Sequence, residues 1–503
     1  MSVVTRAGPN SGGNMENSAP IAEAVPRARR RFILKAAGGH RRRMSILMLI
    51  ADLLGFVLAA AGFYLLNLAW RLFVFNPADL KYAIILLSCL IFFMNSKLYP
   101  GVGINPADEI KLVTQNMSLG FAVGVVFFII IQGHWRPNMA AFALVWGLSL
   151  PMVIFTRWGV RIVAAQLGLW GEPVVMIGSG ASLDGLTRYF LLRRRLGFVP
   201  VLAAAPAIDI RSFTSSVPLM DIQTMAAQDE YYFMSRDIQT ALVEFSLQDG
   251  FKAELISGLR RLFRNLIFVS DMDLLESASI ATHDFEGLLG LEFKEKGLSR
   301  LDASLKRLMD IGLTLALGLL FLPFSIFFVL AIRLDSPGPI FYSQERLGRG
   351  GRKFRIYKFR TMIVDADKFL VEYLAQHRQA RLGWKQTQKL KDDPRITRVG
   401  RWLRSFSLDE LPQLFNVLKG EMSLIGPRPM MLDQHAPYGK FIDLYFSVRP
   451  GLSGMWQVSG RNQTSFEERA RFDAYYVHNW SVWLDIYILL RTVWVVLNRD
   501  GAY

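Results

Sequence analysis

Apolar runs that approach membrane-spanning length recur through the first third of the chain. They cover about Met44–Leu66, Tyr82–Phe93, Leu119–Ile131 and Ala140–Phe155. The first run is long enough to cross a bilayer, and the others reach that length when their polar-tolerant flanks are included. This pattern predicts a four-span transmembrane bundle over residues 44–165, in preference to a buried soluble helical bundle.

Positive residues set the expected orientation of this bundle. The N-terminal residues 1–43 are rich in Ser, Gly, Asn and Pro and then strongly basic, with no apolar core directly followed by a small-residue cleavage site. They predict a disordered basic tail. The cations that flank one side of the spans are Arg41, Arg42, Arg43, Lys97, Lys111, Arg157 and Arg161. The positive-inside rule therefore places both ends of the bundle in the cytoplasm.

A soluble α/β segment follows over residues 171–292. Short buried-type strands are predicted at Pro173–Ile177, Val199–Ala204, Ala241–Phe245 and Leu266–Val269. The first leads into a Gly-Ser-Gly turn and a helical pattern, which is typical of a Rossmann-like layer. The third glycine of the dinucleotide fingerprint is displaced to Gly185, and no convincing acidic residue ends the second strand. We therefore expect a structural or regulatory domain in preference to an active NAD site.

The next apolar segment, Ile311–Ile332, has cations at both ends and Pro323 near its middle. Crossing the bilayer would place the basic stretch after Arg333 outside the cell, against the positive-inside rule. Proline removes a helical hydrogen bond and kinks the helix. We therefore predict a re-entrant hairpin over residues 306–333 that enters and leaves on the cytoplasmic side. The alternative is an ordinary kinked fifth span.

The composition and net charge of the chain limit the classes of binding partner that it can have. The chain has 503 residues, 52% of them hydrophobic, and a formal net charge of +16. The cations border apolar spans instead of forming an isolated tail, so they favour a membrane surface and an anionic substrate, with no nucleic acid. A single cysteine excludes an intramolecular disulfide and a cysteine metal cluster.

The densest candidate chemistry lies between Asp393 and Pro429. Two adjacent carboxylates, Asp409 and Glu410, stand among many cations, which are Arg395, Arg398, Arg401, Arg404 and Arg428. A carboxylate can attack phosphorus, a second one can hold Mg²⁺ shared with substrate phosphates, and arginines bind phosphate oxygens bidentately. The alternative to a catalytic role is a structural one, in which the acidic pair lies at a helix N-terminus capped by Ser407.

These residues belong to a longer series of motifs. In order they are Lys306-Arg-Leu-Met-Asp310, the proline-containing apolar segment, Ser336-Pro-Gly-Pro-Ile-Phe341, Gln344-Glu-Arg-Leu-Gly348, Tyr357-Lys-Phe-Arg-Thr-Met362, the Asp393–Pro429 block and Arg449-Pro-Gly-Leu-Ser-Gly-Met-Trp-Gln457. The series resembles the monotopic bacterial phosphoglycosyl transferases, or polyprenyl glycosylphosphotransferases, over about residues 301–503. The four spans and the α/β segment resemble the larger members of that family.

The resemblance implies roles for individual residues. Asp409 aligns with the nucleophile and Glu410 with the Mg²⁺ ligand that completes the catalytic pair. The residues expected to bind substrate phosphates are Arg404, Arg428, Lys358, Arg360 and Arg395. Pro323 takes the helix-breaking position, although Leu322 stands where family members often have serine, with Ser325 after the proline.

The implied fold is a mixed membrane protein. It combines the four-helix transmembrane bundle, the Rossmann-like cytoplasmic domain and an α-rich monotopic catalytic domain, residues 301–503, with a re-entrant helix-break-helix. The implied partners are a UDP-sugar, undecaprenyl phosphate and the lipid bilayer, with a homodimer left open. The implied location is the bacterial inner membrane, with the catalytic domain on its cytoplasmic face.

The implied reaction transfers a sugar-1-phosphate to undecaprenyl phosphate and releases UMP, as the first membrane step of exopolysaccharide, capsule or O-antigen synthesis. The stretch Glu372–Leu390 and the ending Asn498–Tyr503 are most similar to members that transfer galactose-1-phosphate, and glucose is the alternative. A rival class, a membrane-bound NAD-dependent dehydratase or epimerase, usually needs a Tyr-x-x-x-Lys pair, which the chain lacks. A non-catalytic scaffold is disfavoured by the intact carboxylate pair.

Overall fold

The structure is a computed structural model, and it describes most of the chain outside the N-terminal tail and several loops. The described residues are 39–70, 80–96, 98–132, 139–206, 213–228, 232–233, 235–245, 253–270, 279–285, 288–294, 299–377, 381, 390, 393–432, 434–459 and 465–498. The predicted disordered tail therefore lies almost wholly outside the described residues, and so does most of the stretch that favoured galactose.

The chain divides into two compact units. The first comprises Met1–Ile104 and Val113–Asp271, and the second comprises Asn105–Leu112 and Met272–Tyr503. We call the second one the catalytic unit, because it contains the whole 301–503 motif series.

Fifteen α-helices are assigned within the described residues. They are α1 His40–Trp70, α2 Leu80–Asn95, α3 Pro106–Gln132, α4 Met139–Gln166, α5 Gly180–Leu192, α6 Ile222–Ala226, α7 Ala253–Leu262, α8 Arg300–Asp335, α9 Ala366–Gln376, α10 Arg398–Ser405, α11 Leu414–Lys419, α12 Ile442–Ser447, α13 Met455–Ser459, α14 Phe466–His478 and α15 Val482–Leu497.

Eleven strands are assigned within the same residues. They are β1 Glu172–Ile177, β2 Phe198–Ala205, β3 Leu219–Asp221, β4 Thr240–Phe245, β5 Asn265–Ser270, β6 Ser279–Phe285, β7 Leu288–Lys294, β8 Phe341–Leu347, β9 Lys353–Phe359, β10 Ser423–Ile425 and β11 Gly451–Ser453.

The protein is a membrane protein. Four described helices are long and apolar enough to cross a bilayer, over His40–Leu68, Pro106–Phe127, Ala140–Gln166 and Leu301–Asp335, and a shorter apolar helix covers Ala83–Asn95. The predicted apolar runs thus all lie in helices that extend beyond them.

Arg157, one of the cations used to predict the orientation of the bundle, is buried and not exposed at the membrane surface. Arg157 is buried in α4, and its Nε and Nη2 donate to Asp52 of α1 at 2.5 and 2.8 Å. The Tyr99 hydroxyl donates to the same carboxylate. Because Arg157 is paired inside the bundle, it is a weaker marker of the cytoplasmic side than a solvent-exposed flanking cation.

The α/β segment forms a five-stranded parallel sheet in the order β3-β2-β1-β4-β5. This is the strand order of the first part of a Rossmann fold, and the predicted parallel α/β region is confirmed. Strand β1 is buried at every position, as expected for a central strand covered on both faces. The sheet ends at Ser270, earlier than the predicted domain end at 292. Beyond it, β6 and β7 form a separate antiparallel hairpin that groups with the catalytic unit.

The turn after β1 holds a carboxylate where a dinucleotide phosphate would bind. Glu244 at the end of β4 accepts a hydrogen bond from the Ser179 backbone N–H at 2.8 Å. A Cβ at Gly178 would lie 2.2 Å from the same Glu244 oxygen. Backbone N–H groups at this position normally face the pyrophosphate at the start of the first helix. The protein's own negative charge therefore occupies the anion position.

We expect no saturable binding of NAD, NADH, NADP or NADPH to the purified full-length chain, because a fixed carboxylate repels the pyrophosphate. Isothermal titration or nucleotide fluorescence measures this directly. Glu244→Gln keeps the shape of the side chain and removes its charge, so it tests whether this carboxylate is the cause. Micromolar binding by the wild-type chain would contradict this expectation.

The catalytic unit is built on short elements around one long helix. The hairpin β8–β9 and the parallel pair β10–β11 lie beside α10, α11, α14 and α15. The main apolar core contains residues from several of these elements, including Ile356, Val417, Leu424, Tyr476 and Ile488. The core thereby fixes β9, α11 and β10, the three elements that carry or flank the candidate site.

Helix α8 is assigned without interruption across Pro323. The predicted break at Pro323 is therefore not seen as an interruption of the helix. Proline nevertheless leaves the Leu319 carbonyl without its helical hydrogen-bond donor. The Ser325 hydroxyl donates to the Phe321 carbonyl at 2.9 Å, a back-bond that often accompanies helix bending. The re-entrant course stays a prediction.

The motif at 306–310 attaches the first turns of α8 to the catalytic unit. Lys306 Nζ lies 2.7 Å from Asp485 Oδ2 of α15, and both side chains are nearly buried. Arg307 donates to the last carbonyls of α11, at Val417 and Leu418. Asp310 Oδ1 accepts from the Ser423 hydroxyl and the Leu424 backbone N–H at 3.0 and 3.1 Å. Each charged residue of this motif therefore has a structural contact.

Lys306→Met is expected to reduce the free energy of unfolding of the catalytic unit by about 3–5 kcal/mol, because it leaves the Asp485 carboxylate buried and unpaired. The double variant Lys306→Met/Asp485→Asn should recover part of this loss, since asparagine is neutral and still accepts from Tyr476. Urea titration of the full chain in detergent measures both. The exposed pair Glu345–Arg355, at 3.7 Å, is the control, and its disruption should cost less than about 1 kcal/mol.

Candidate active site

The two adjacent carboxylates lie on a 3₁₀ helix, Leu408–Gln413, between α10 and α11. Ser407 before it has a left-handed backbone, with φ 55° and ψ 23°, and its side chain makes no capping hydrogen bond. The alternative in which Ser407 caps a helix start is therefore wrong. The sharp turn instead places Asp409 and Glu410 against strand β9, with Asp409 nearly buried.

Glu410 is held by two cations from different elements. Lys358 of β9 lies 2.6 Å from Glu410 Oε1, and Arg428, after β10, donates to the same oxygen at 3.0 Å. Burial alone would raise the pKa of Glu410, but the two cations outweigh it and lower the pKa to about 2. Glu410 is therefore ionised at any physiological pH.

Asp409 has a different environment, although it is the next residue. No donor within the described residues bonds to either of its carboxylate oxygens. Burial raises the pKa of Asp409, and the negative Glu410 adds to this effect, whereas Lys358, Arg404 and Arg428 act in the opposite sense. The pair thus consists of one fixed carboxylate and one carboxylate that is unengaged and near cations.

This difference predicts the acid limb of the rate profile. If Asp409 is the nucleophile, as the resemblance implies, transfer should fall as the pH drops through the pKa of Asp409, because a protonated carboxyl cannot attack phosphorus. The limb should lie above 3.8, the ordinary aspartate value, since burial raises the pKa. In Lys358→Met the limb should move to higher pH, because Lys358 is the strongest influence that holds the pKa down. Single-turnover rates between pH 4 and 8 test this, and an unchanged limb in Lys358→Met would contradict it.

Strand β9 is fixed beside the carboxylates by a buried asparagine. The Asn416 side chain accepts from the Tyr357 backbone N–H at 3.2 Å and donates to the Arg355 carbonyl at 2.7 Å. These bonds join α11 to β9 on both sides of Ile356, and Lys358 follows directly. Asn416 thus positions Lys358 through the backbone, and its side chain makes no hydrogen bond to Asp409 or Glu410.

The arginine after β10 is positioned by close backbone packing. Gly426 N–H donates to the Ser453 carbonyl at 2.9 Å, and Gly451 N–H donates to the Pro427 carbonyl at 2.7 Å. A Cβ at Gly451 would lie 2.1 Å from the Gly426 nitrogen, so only glycine fits at this point. The chain therefore leaves β10 along a fixed path that brings Arg428 to Glu410.

Arg404 approaches from the last turn of α10. Its Nε donates to the Thr361 hydroxyl at 2.8 Å, and no acceptor within the described residues bonds to its two terminal nitrogens. A Cβ at Gly400 would lie 2.1 Å from the Thr361 carbonyl oxygen, so α10 packs directly on that backbone. Burial lowers the pKa of Arg404, but a guanidinium stays charged at physiological pH. Arg404 therefore offers an unengaged guanidinium edge near Asp409.

Two of the predicted phosphate ligands have other partners. Arg360 donates to the Ser336 and Pro337 carbonyls at 2.6 and 3.0 Å, where the chain leaves α8. Arg395 forms a bidentate, nearly buried pair with Asp393, at 2.7 and 2.9 Å. The structure thus places Arg404, Arg428 and Lys358 around the carboxylates, and it uses Arg360 and Arg395 to support the surrounding chain.

Arg346 of β8 is a site residue that sequence reasoning missed as an individual candidate. It is more than half-buried, and burial lowers its pKa, as does the neighbouring positive charge of Arg428, whereas Glu410 raises it. Its Nη2 donates to Gln344 at 2.7 Å. The motif Gln344-Glu-Arg-Leu-Gly348 was the available signal, but the bridge between Leu347 and Met430 is what brings the end of β8 beside the segment that carries Arg428.

The comparisons with known proteins agree with this site. Residues 301–499 match the family model described as bacterial sugar transferase. The chain is 36% identical over 382 residues to a UDP-galactose-lipid carrier transferase of Erwinia amylovora, covering 73% of this chain and 77% of the relative. It is 34% identical over 376 residues to an undecaprenyl-phosphate galactose phosphotransferase of Salmonella typhimurium, with the same two coverages.

A glucose-named relative matches over a longer stretch. The chain is 32% identical over 419 residues to a UDP-glucose:undecaprenyl-phosphate glucose-1-phosphate transferase of Escherichia coli, covering 80% of this chain and 84% of the relative. Together the membrane helices, the carboxylate pair and these relatives define a membrane-associated transferase. The chain belongs to the bacterial sugar transferase family, and the expected resemblance to the bacterial phosphoglycosyl transferases is confirmed.

Proposed function

We propose that Asp409 is the nucleophile with which this hexose-1-phosphate transferase passes a sugar-1-phosphate from a UDP-sugar to undecaprenyl phosphate. The observation that carries the proposal is the contrast within the pair. Glu410 is locked by Lys358 and Arg428, whereas both oxygens of Asp409 are without donors in the described structure. A carboxylate that is unengaged, nearly buried and close to cations is suited to attack an anionic phosphate.

The reaction takes two displacements at one phosphorus. An Asp409 oxygen forms a bond to the β-phosphorus of the UDP-sugar, the bond to the bridging oxygen breaks, and UMP leaves with the electron pair. An oxygen of undecaprenyl phosphate then attacks the same phosphorus and releases the Asp409 carboxylate. Arg404, Arg428 and Lys358 supply positive charge for the diphosphate, and two of them face it with a planar guanidinium.

The residues present fit a Mg²⁺ ion. The unengaged oxygens at the site are Glu410 Oε2 and the two oxygens of Asp409, and Mg²⁺ prefers such hard oxygen ligands together with substrate phosphates. No group of three or more acidic, His or Cys side chains that could hold a metal occurs within the described residues, so substrate phosphates would have to complete the ligand set. Glu410 would hold the ion, which would neutralise diphosphate charge when bound.

We propose galactose as the sugar. Two relatives with 36% and 34% identity carry galactose in their names, and the glucose-named relative has 32%. A panel of UDP-sugars, assayed with undecaprenyl phosphate and the purified full chain, tests both the reaction and the sugar. UMP release with UDP-galactose well above that with UDP-glucose is the expected result. The reverse ranking would establish glucose, and no UMP from any UDP-sugar would refute the reaction.

We further propose that the catalytic unit lies on the cytoplasmic face of the inner membrane, with α8 re-entrant. Two contacts favour this course. Residues 306–310 bind the catalytic unit, and so do Phe328 and Ile332, which pack with Leu403. Between these ends the side chains Leu315, Leu319, Leu320 and Phe324 are more than half exposed. Helix α8 thus has an exposed apolar central part, and both of its ends contact the catalytic unit. This arrangement fits a helix that enters and leaves the membrane on the same side.

Cysteine labelling tests the orientation. Buried Cys89 is first replaced by alanine, and a single cysteine is then placed at Leu301 or at Lys368, both exposed and on opposite sides of the α8 segment. Both positions should react only after the inner membrane is made permeable. Labelling of position 368 alone in intact cells would establish an ordinary crossing helix and overturn the re-entrant course.

A further inference from the structure

A second concentration of positive charge lies apart from the carboxylate pair. A pocket of about 570 Å³ opens at the turn of the β8–β9 hairpin and beside the end of α11. We call it the basic pocket. Its charged lining residues are Arg349, Arg352, Lys353, Lys419, Glu421 and Arg449. It shares no lining residue with the candidate active site, and Lys353 is five residues from Lys358, roughly 16 Å along the strand.

Positive charge predominates in the basic pocket, with five cations to the single carboxylate of Glu421 in its lining. Within the described residues no carboxylate forms an ion pair with any of them. The one acidic residue, Glu421, accepts a hydrogen bond from Asn416 at 2.7 Å. Burial lowers the pKa of Arg449, and the nearby charges of Arg307 and Arg349 lower it further, whereas Asp310 raises it. An anion bound in the pocket would relieve this repulsion.

The surroundings of the pocket are apolar on one side. Gly420 in the pocket wall lies against Arg307 of α8, since a Cβ there would be 3.4 Å from Arg307 Nη2. Large hydrophobic side chains are exposed on the same two elements, namely Leu301, Leu305 and Leu308 on the first turns of α8 and Phe415 and Leu418 on α11. Lys419 extends over the Phe415 ring at 4.7 Å. Cations beside exposed apolar side chains are typical of a surface at the lipid headgroup level.

We propose that the basic pocket binds the phosphate of an anionic phospholipid headgroup. Lysine and arginine match a phosphate, and arginine can bind two of its oxygens at once. A free nucleotide or inorganic phosphate shares this chemistry, but the apolar margin formed by α8 and α11 favours the lipid. The pocket then anchors the catalytic unit to the membrane at a point separate from the reacting phosphates.

Lipid binding by the purified full chain tests the proposal. Phosphatidylglycerol is titrated into the delipidated protein in non-ionic detergent, and bound lipids are counted by native mass spectrometry, with phosphatidylcholine as the neutral comparison. The pocket variant is Arg352→Gln/Lys353→Gln. The matched control, Arg355→Gln/Lys368→Gln, also removes two exposed cations from the catalytic unit, but outside the pocket.

The wild type should bind phosphatidylglycerol saturably, and the pocket variant should bind it about thirtyfold more weakly, as two interfacial charges predict. The control should stay within about twofold of the wild type. Equal loss in both variants, or equal binding of phosphatidylcholine, would overturn the proposal. Displacement of the lipid by UMP or inorganic phosphate at millimolar concentration would also overturn it and identify a soluble phosphate as the ligand. No UDP-sugar is present, so the result is independent of the proposed role of Asp409.

Discussion

Asp409→Asn is expected to abolish sugar-phosphate transfer while the protein stays folded and in the membrane. Asparagine keeps the shape of aspartate but cannot form an acyl phosphate, and no hydrogen bond within the described residues depends on the lost charge. Removal of a nucleophile that acts with its neighbours as a unit should lower the transfer rate by at least about ten-thousandfold. Asp443→Asn, which alters an exposed aspartate on α12, is the matched control and should retain full activity.

The two-step route adds a measurement that a merely structural role would not affect. Wild-type protein given radiolabelled UDP-sugar without lipid acceptor should release about one UMP per active site and retain the labelled sugar phosphate. Undecaprenyl phosphate should remove the label, and Asp409→Asn should never acquire it. If rapid quench finds no labelled wild-type protein and both substrates must be bound together, Asp409 is not a covalent nucleophile. A general-base role for the pair would then replace it.

Glu410→Gln should reduce transfer on the order of a hundredfold to a thousandfold, which is typical for loss of a main electrostatic contact. The reason is visible in the ion pairs. Lys358 and Arg428 both point at Glu410 Oε1, and a neutral amide no longer holds these two cations in place. The expected Mg²⁺ ligand is lost in the same change.

Metal dependence separates these two consequences. If Glu410 holds Mg²⁺, Glu410→Gln should need a markedly higher Mg²⁺ concentration for half-maximal rate, whereas Lys358→Met should change the maximal rate more than the Mg²⁺ requirement. Glu467→Gln, an exposed glutamate on α14, is the control. An unchanged Mg²⁺ requirement in Glu410→Gln would exclude Glu410 as the metal ligand.

Much of the architecture follows from local patterns. Strands such as Val199–Ala204 and Ala241–Phe245 were predicted within a residue or two of their observed bounds, because short apolar runs between polar turns have few alternatives. The apolar helices were equally predictable in place, although α3 and α4 extend well beyond their apolar runs. The placement of Glu244 against Ser179, 65 residues apart, depends on strand order and was not predictable from either segment alone.

In the candidate site, some residues were predictable from the sequence and others were not. The acidic pair stands out because adjacent carboxylates in so basic a block are unusual. The surrounding cations were harder to rank, because a sequence does not show which charges are already paired. In the sequence, Arg360 and Arg395 are equivalent to Arg404. In the structure, Arg360 donates to backbone carbonyls and Arg395 pairs with Asp393. Arg346 is not identifiable from its own motif, because its charged neighbours, Arg428 and Glu410, lie more than 60 positions later and are joined to β8 through the Leu347–Met430 bridge.

The ion pair between Lys306 and Asp485 also sets an order of events during synthesis. The two residues are separated by 179 positions, so α8 leaves the ribosome long before α15 exists. At a synthesis rate of about 5–20 residues per second, Asp485 is added roughly 10–40 s after Lys306. The contact between α8 and α15 can therefore form only after all the residues between Lys306 and Asp485 have been synthesised. A chain that stops before α15 would carry Lys306 without its carboxylate partner at the start of its membrane helix.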